Sequence, residues 1–507
     1  MVIVVWMLAC NGKDAELTGS PLGIPLVMDG VTYAGAASID ITPLVTEGWT
    51  DLDGDGYFAG SFDDPDGLEP FDDADGDGYF DAVFIGGYGP RRPATGVHDP
   101  VYARAMILAR DGEYLAITSL DLVGLAHPRI WEARDRLAAE GFDPARLLVN
   151  STHNHQGPDT VGLWGDTLSM TTGVDWAFQD QVTDAIEAAV RDAAAAMEPV
   201  ELSIGRVRMR DRSPFLNGSY FGGKNPDPRM HGMIHDGRDP VVVSDQLLVL
   251  HAQGDGGTVF TLTNWSGHPE VWGSDNTEIS SDWVGVAREV IEAQLGGVAL
   301  HMPESLGGMQ SALHGELPLY LDDGTPVFQT CGADAIADPE DTECFGLAEG
   351  SDRIDADGDR VPEWAEPDSW AFVNSHGWLI GLAALDALST AAPLEASPLR
   401  VDREPLVVPI DNVSYNLLGQ QGIFDIGIEN ALRDPEVCPE VSSGILGCFA
   451  PHTFRLQIGE LSMISVPGEL LPELAWGLPD DEAWRAEVDD PAARGQGATY
   501  FPQQDPD

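Results

Sequence analysis

The stretch Leu147-Leu148-Val149-Asn150-Ser151-Thr152-His153-Asn154-His155-Gln156-Gly157-Pro158 decides how this chain is read. An apolar, β-forming run leads in, two histidines follow at alternate positions, and Gly-Pro turns the chain away. On an extended backbone residues i and i+2 share a face, so both imidazoles are expected together at a strand's carboxyl end, where α/β proteins place their sites. By itself the pair stays open to three readings: zinc ligands, a general acid or base, or two hydrogen-bonded loop side chains.

The same layout recurs farther out. Strand-like Val259 to Trp265 runs into Ser266-Gly267-His268-Pro269, and strand-like Met463 to Val466 runs into Pro467-Gly468-Glu469, whose glycine lets Glu469 turn inward. Strand character at Tyr114–Val123, Leu147–Ser151, Leu247–His251 and Val298–Met302 alternates with helical spacing at Ile130–Glu140, Asp175–Met197, Asp282–Gln294 and Ser369–Leu388. Phe454–Val466 reads as a late hairpin. The fold class expected is α/β, with mixed sheets and flanking helices. No Pro- or Ser-rich linker divides the chain, so residues 31–507 are expected to form one catalytic domain with inserted loops.

Lys and Arg number 26 against 84 Asp and Glu, a formal charge of −58, which repels phosphate backbones and anionic headgroups and excludes nucleic acid as a partner. Part of the acidity is patterned. From Asp51 to Asp81 there are 12 acidic residues and no Lys or Arg. Asp51-x-Asp53-x-Asp55-Gly56 and Asp73-x-Asp75-x-Asp77-Gly78 are each followed by Tyr-Phe, and Asp355-x-Asp357-x-Asp359 repeats the oxygen spacing within 351–366. Alternate carboxylates with a turn-permitting glycine suit Ca2+, a hard cation that takes six to eight oxygens. A solvated acidic loop is the other reading. Met1 to Cys10 reads as the end of a lipoprotein signal, with residues 1–30 as leader and linker, Cys10 as the lipid-bearing residue and an extracytoplasmic, envelope-bound or secreted protein as the consequence; a short buried strand is the alternative. Membrane association is expected through that anchor at most. Cys331 with Cys344 and Cys438 with Cys448 are expected disulfides of an oxidising compartment.

Ser151-Thr152-His153-Asn154-His155-Gln156-Gly157-Pro158 resembles the S-T-H-T-H-S-G-P stretch of the neutral, non-lysosomal ceramidases. Gly96-Val97-His98-Asp99-Pro100-Val101-Tyr102-Ala103-Arg104-Ala105, Ser266-Gly267-His268-Pro269 and Pro467-Gly468-Glu469 are similar to three further segments of that family in order, across Val31 to Leu474. The resemblance implies His153, His268 and Glu469 as ligands of a catalytic Zn2+, His155 as the catalytic histidine, and metal-activated water attacking the amide of an N-acyl sphingolipid. It also implies a catalytic serine, for which Ser311 in Gly307-Gly308-Met309-Gln310-Ser311 is the candidate, and a ligating tyrosine beyond Glu469, where the sequence has Tyr500. The family's C-terminal immunoglobulin-like domain is expected to be absent. An esterase on the same scaffold and a calcium-stabilised surface lipoprotein without catalysis are the alternatives to an amidase.

Overall fold

The computed structural model describes residues 21–54, 56–58, 69–78, 80–166, 171–209, 233–235, 242–313, 317–328, 330–338, 344, 363–410, 412–424, 429–430 and 447–477. Its main sheet runs in the order β8-β7-β6-β5-β1-β2-β3-β4, where β1 is Tyr33–Asp40, β2 Tyr102–Arg110, β3 Glu113–Leu120, β4 Leu147–Ser151, β5 Glu198–Arg208, β6 Gln246–Gly254, β7 Gly257–Trp265 and β8 Val298–Pro303. A short β9, Ala392–Leu394, pairs with β5 off this path.

Each half of the sheet repeats one plan. An antiparallel hairpin is followed by a helix and then a strand parallel to the hairpin's second member: β2, β3, α1 (His127–Ala138) and β4, then β6, β7, α3 (Asp282–Leu295) and β8. The halves join where β1 meets β5 through just Tyr33 with Pro199 and Ala34 with Glu198. They face one another across this narrow seam. Met106 and Leu108 of β2 and Leu115 and Ile117 of β3 pack in one cluster with Leu250, Phe260, Leu262 and Leu300 of the other half.

Because successive strand residues point to opposite faces, the intervening positions go outward to helices. Ala103, Ala105 and Ile107 meet Val182 and Ile186 of α2 (Trp176–Ala195), and Leu247 and Val249 share a cluster with Ala287 of α3 and Ile380 of α4 (Trp370–Ser389). The result is four layers, helix, sheet, sheet, helix. Local signals set the helix starts: the Asp175 carboxylate caps α2 at the amides of Ala177 and Phe178, and the Ser369 hydroxyl caps α4 at Phe372. A buried fork from Arg288 on α3 to both oxygens of Asp121, each at 2.7 Å, ties α3 to the end of β3. Cys331 and Cys344 form the expected disulfide; Cys448 is disulfide-bonded, and Cys438 lies outside the described residues, as does Cys10. Among the described residues no helix is long and apolar enough to cross a membrane.

Two histidines in the packed interior make stability depend on pH. His301 on β8 and His376 on α4 are buried, and burial lowers each pKa from 6.5 to about 3. Between these values the unfolded chain binds protons that the folded one refuses, so stability rises with pH through the window and is lost as pH falls below 6.5. Each histidine should contribute about 1.4 kcal/mol per pH unit. Urea unfolding of the parent and of His376→Gln from pH 6.5 down to about 4 checks this, because neutralisation of surface carboxylates is common to both chains. The variant's slope should be shallower by one histidine's share; equal slopes would refute the assignment.

Candidate metal centre

The segment after β4 does not stay extended. His153 lies in the left-handed region at φ 67°, an uncommon conformation for a residue with a Cβ, and the chain then turns so that Asn154 bonds to Asp121 O, Ser280 O and the amide of Gln156. The two imidazoles therefore converge through a strained turn and not through strand alternation, which corrects the expected extended geometry. Their ring centroids lie 4.9 Å apart, and His268 joins them at 4.9 Å from His153 and 5.4 Å from His155. One ring nitrogen from each of His153, His155 and His268 falls in a group spanning no more than 4.8 Å, within reach of one metal ion.

Glu469 closes the group from a fourth direction. It follows the hairpin of β11 (His452–Ile458) and β12 (Leu461–Ser465), which pairs through β11 with β10 (Leu399–Pro405), and Gly468 at φ 114° makes the turn that the sequence suggested. The Gly307 amide donates to Leu470 O at 2.9 Å, and a Cβ at Gly307 would stand 2.9 Å from Glu469 O, so this glycine admits the incoming segment. The carboxylate oxygens of Glu469 lie 3.3 Å from His153 Nε2 and 3.6 Å from His268 Nε2.

The hydrogen bonds fix the other ring nitrogens. His153 Nδ1 meets Val123 O and His268 Nδ1 meets Met309 O, each at 2.7 Å. A carbonyl only accepts, so each ring carries a proton on Nδ1, and in the neutral ring each Nε2 directs a lone pair at a carboxylate. Such a facing calls for a positive charge between the groups, which a proton on Nε2 or a metal ion supplies, and this donor set of imidazole and carboxylate is one that zinc takes. The charge balance agrees. Contact with His153 and then His268 holds the Glu469 carboxyl far below the ordinary range, while for His268 burial, the largest single influence, is outweighed by Glu469, Glu270 and the Met309 carbonyl together and the pKa rises.

His155 sits in a cradle of its own. Its amide donates to Pro269 O at 2.8 Å, and its carbonyl accepts from buried Arg92 at 2.6 Å. The Tyr88 ring stands edge-on at 5.3 Å, and a Cβ on Gly87, at φ 110°, would meet His155 Cγ at 2.4 Å. Burial, then His153, His268 and Arg92, push the His155 pKa well below its usual value and keep the ring neutral. Glu270, which sequence reasoning missed, places Oε2 at 3.4 Å from His155 Nδ1, and burial raises its pKa. Ser311 reaches the group through its backbone: its amide donates to Glu270 Oε1 at 3.2 Å, and its hydroxyl accepts from Leu313. Tyr500 lies outside the described residues.

The acidic repeats form a second constellation. Each first aspartate wraps its own turn: Asp51 accepts from Gly54 and Gly56, and Asp73 from Gly76 and Gly78. The glutamates cross over. Glu69, which precedes the second loop, joins Asp51 and Asp53 of the first, and Glu47, which precedes the first, joins Asp73 and Asp75 of the second. Thr50 and Asp72 complete the exchange by donating to Pro70 O and Gly48 O. Asp77 donates its amide to Asp75; Asp55, Asp355, Asp357 and Asp359 lie outside the described residues. The sequence did contain this signal, since Glu-x-aromatic-x-Asp-x-Asp-Gly-Asp-Gly-Tyr-Phe runs from Glu47 to Phe58 and again from Glu69 to Phe80.

Three imidazoles and a carboxylate from distant segments, gathered at strand ends of a four-layer fold, define an α/β protein with a histidine-rich centre able to hold a metal ion. Residues 72–319 match the family described as neutral/alkaline non-lysosomal ceramidase, N-terminal, which bears out the resemblance carried by the motifs. The three histidines fall inside that segment and Glu469 outside it. The neutral ceramidase from Pseudomonas aeruginosa is similar in structure, with a TM-score of 0.50 at 16% identity over 87% of this chain and 62% of that one. A ceramidase complexed with C2 is similar at a TM-score of 0.51 and 14% identity, over 93% of this chain and 68% of that one. At these identities the likeness is one of fold, and the chain spans 62% of the length of the Pseudomonas enzyme. No curated protein sequence matches.

Proposed function

We propose that the chain is a zinc-dependent hydrolase that cleaves the amide bond of an N-acyl sphingolipid or a similar N-acyl lipid. The observation that carries this reading is the convergence of His153 Nε2 and His268 Nε2 on the Glu469 carboxylate, beside a third ring nitrogen from His155. These three residues would hold the ion. When bound, zinc supplies a Lewis acid that brings the pKa of water to about 7. His155, neutral and walled in by Tyr88 and Gly87, is placed to accept a proton and return it to the leaving amine. Arg92 fixes the backbone that carries this ring.

The two acidic loops are proposed to hold one calcium ion each, with Glu47 and Glu69 as ligands supplied across the pair. The disulfides support the proposal that the chain works outside the cytoplasm. The test of the catalytic reading is elemental analysis of the purified chain beside turnover of matched N-acyl and O-acyl lipids. One zinc per chain with preferential amide cleavage is the expected result. Zinc with ester cleavage alone would make it an esterase, and a zinc-free inactive chain would leave only a binding protein.

A further inference from the structure

We propose that Glu270 is the positioning residue of His155: it accepts the Nδ1 proton and so leaves Nε2 as the bare nitrogen of the ring. This rests on the reading of His155 as the catalytic histidine. Glu270 is 5% exposed, and three contacts fix it. Oε1 accepts the Ser311 amide at 3.2 Å, the main-chain oxygen accepts the Tyr88 hydroxyl at 2.7 Å, and Oε2 lies 3.4 Å from His155 Nδ1.

His155 needs such a partner. Both its ring nitrogens are buried without a hydrogen bond, and an orphaned buried polar atom is costly because it has given up water for nothing in return. Oε2 stands only a few tenths of an ångström beyond ordinary hydrogen-bond length from Nδ1, a gap that a small side-chain adjustment closes. A carboxylate accepts and does not donate, so the contact favours the tautomer with its proton on Nδ1. His153 and His268 reach the same tautomer by way of the carbonyls of Val123 and Met309. His155 has its carboxylate in their place. The Tyr88 hydroxyl bond makes one unit of this arrangement, since the ring that stands against His155 is anchored to the residue that orients it.

The test reads the tautomer directly. Full-length chain with 15N-labelled histidine gives long-range proton–nitrogen spectra, metal-free and zinc-loaded, with His155 assigned by its loss in His155→Gln. The parent should show neutral His155 protonated on Nδ1 in the metal-free chain. Glu270→Leu should shift that proton toward Nε2 and lower kcat for the amide by about 10- to 100-fold, with KM and zinc content unchanged. Glu270→Gln, whose amide oxygen can still accept, should recover Nδ1 protonation and most of kcat. A parent His155 protonated on Nε2 overturns the proposal without any variant, which covers the case in which Glu270→Leu fails to fold. So does a folded Glu270→Leu with its tautomer unchanged. If the parent cleaves no amide, the catalytic reading fails on its own, and the metal-free spectra still judge the positioning.

Discussion

His153→Ala and His268→Ala are expected to leave the purified chain without stoichiometric zinc and to lower amide turnover on the order of 10^2- to 10^3-fold or more, the scale set by losing one essential catalytic group. Both changes remove an Nε2 that now faces the Glu469 carboxylate, so both remove the reason for a cation to sit there. Glu469→Gln should have the same effect on zinc while leaving the histidines in place. His155→Gln is the informative contrast. The His155 ring nitrogen also lies within reach of the group, yet the proposal gives it to proton transfer, so this variant should keep zinc and lose turnover. Elemental analysis and kcat on the four proteins, with melting curves as the folding control, check the pattern. Full zinc in His153→Ala and His268→Ala would remove the centre from consideration.

What the sequence made legible here was local. An apolar run ending in His-x-His, another ending in His268 and a Pro-Gly-Glu turn are short-range patterns, and a glycine at positive φ before Glu469 follows from one residue's freedom. The starts of α2 and α4 were equally legible, because Asp175 and Ser369 cap them from the adjacent position. Less could be read where partners are remote. Glu270 looks like any solvated glutamate after a turn until Ser311 and Tyr88 close over it. The facing of the two half-sheets depends on a seam of two residue pairs, and β5 carries Glu201, Arg206 and Arg208 among its apolar positions. The left-handed His153 has no sequence signature, since the strain is imposed by Asn154 and its distant carbonyl partners.

Calcium removal is expected to cost the chain several degrees of melting temperature and much of its kcat while leaving zinc bound. The stability part follows from mass action: a site at a hundredfold excess over its Kd adds about 2.7 kcal/mol, and two sites are proposed here. Without the ions, Asp51, Asp53 and Glu69, and likewise Glu47, Asp73 and Asp75, bring like charges together, at about 1 kcal/mol per pair at ~4 Å in water. The effect on kcat follows from packing. The first loop leads directly to Phe58, whose amide donates to Arg91 O at 3.1 Å, and Gly56 lies so close to the 274–275 backbone that a Cβ would stand 3.1 Å from Asp275 Cα. Arg92, the next residue along, grips Gly86 O and His155 O. Loosening the loop therefore loosens the cradle of His155, whereas His153, His268 and Glu469 are held by Val123, Met309 and Gly307 on other segments. Melting curves and amide turnover with millimolar calcium or a calcium-selective chelator, zinc held constant, test both halves. Glu47→Gln and Glu69→Gln should each lower the calcium stoichiometry by one. Superimposable melting curves together with unchanged calcium stoichiometry in both variants would reduce the repeats to solvated acidic turns.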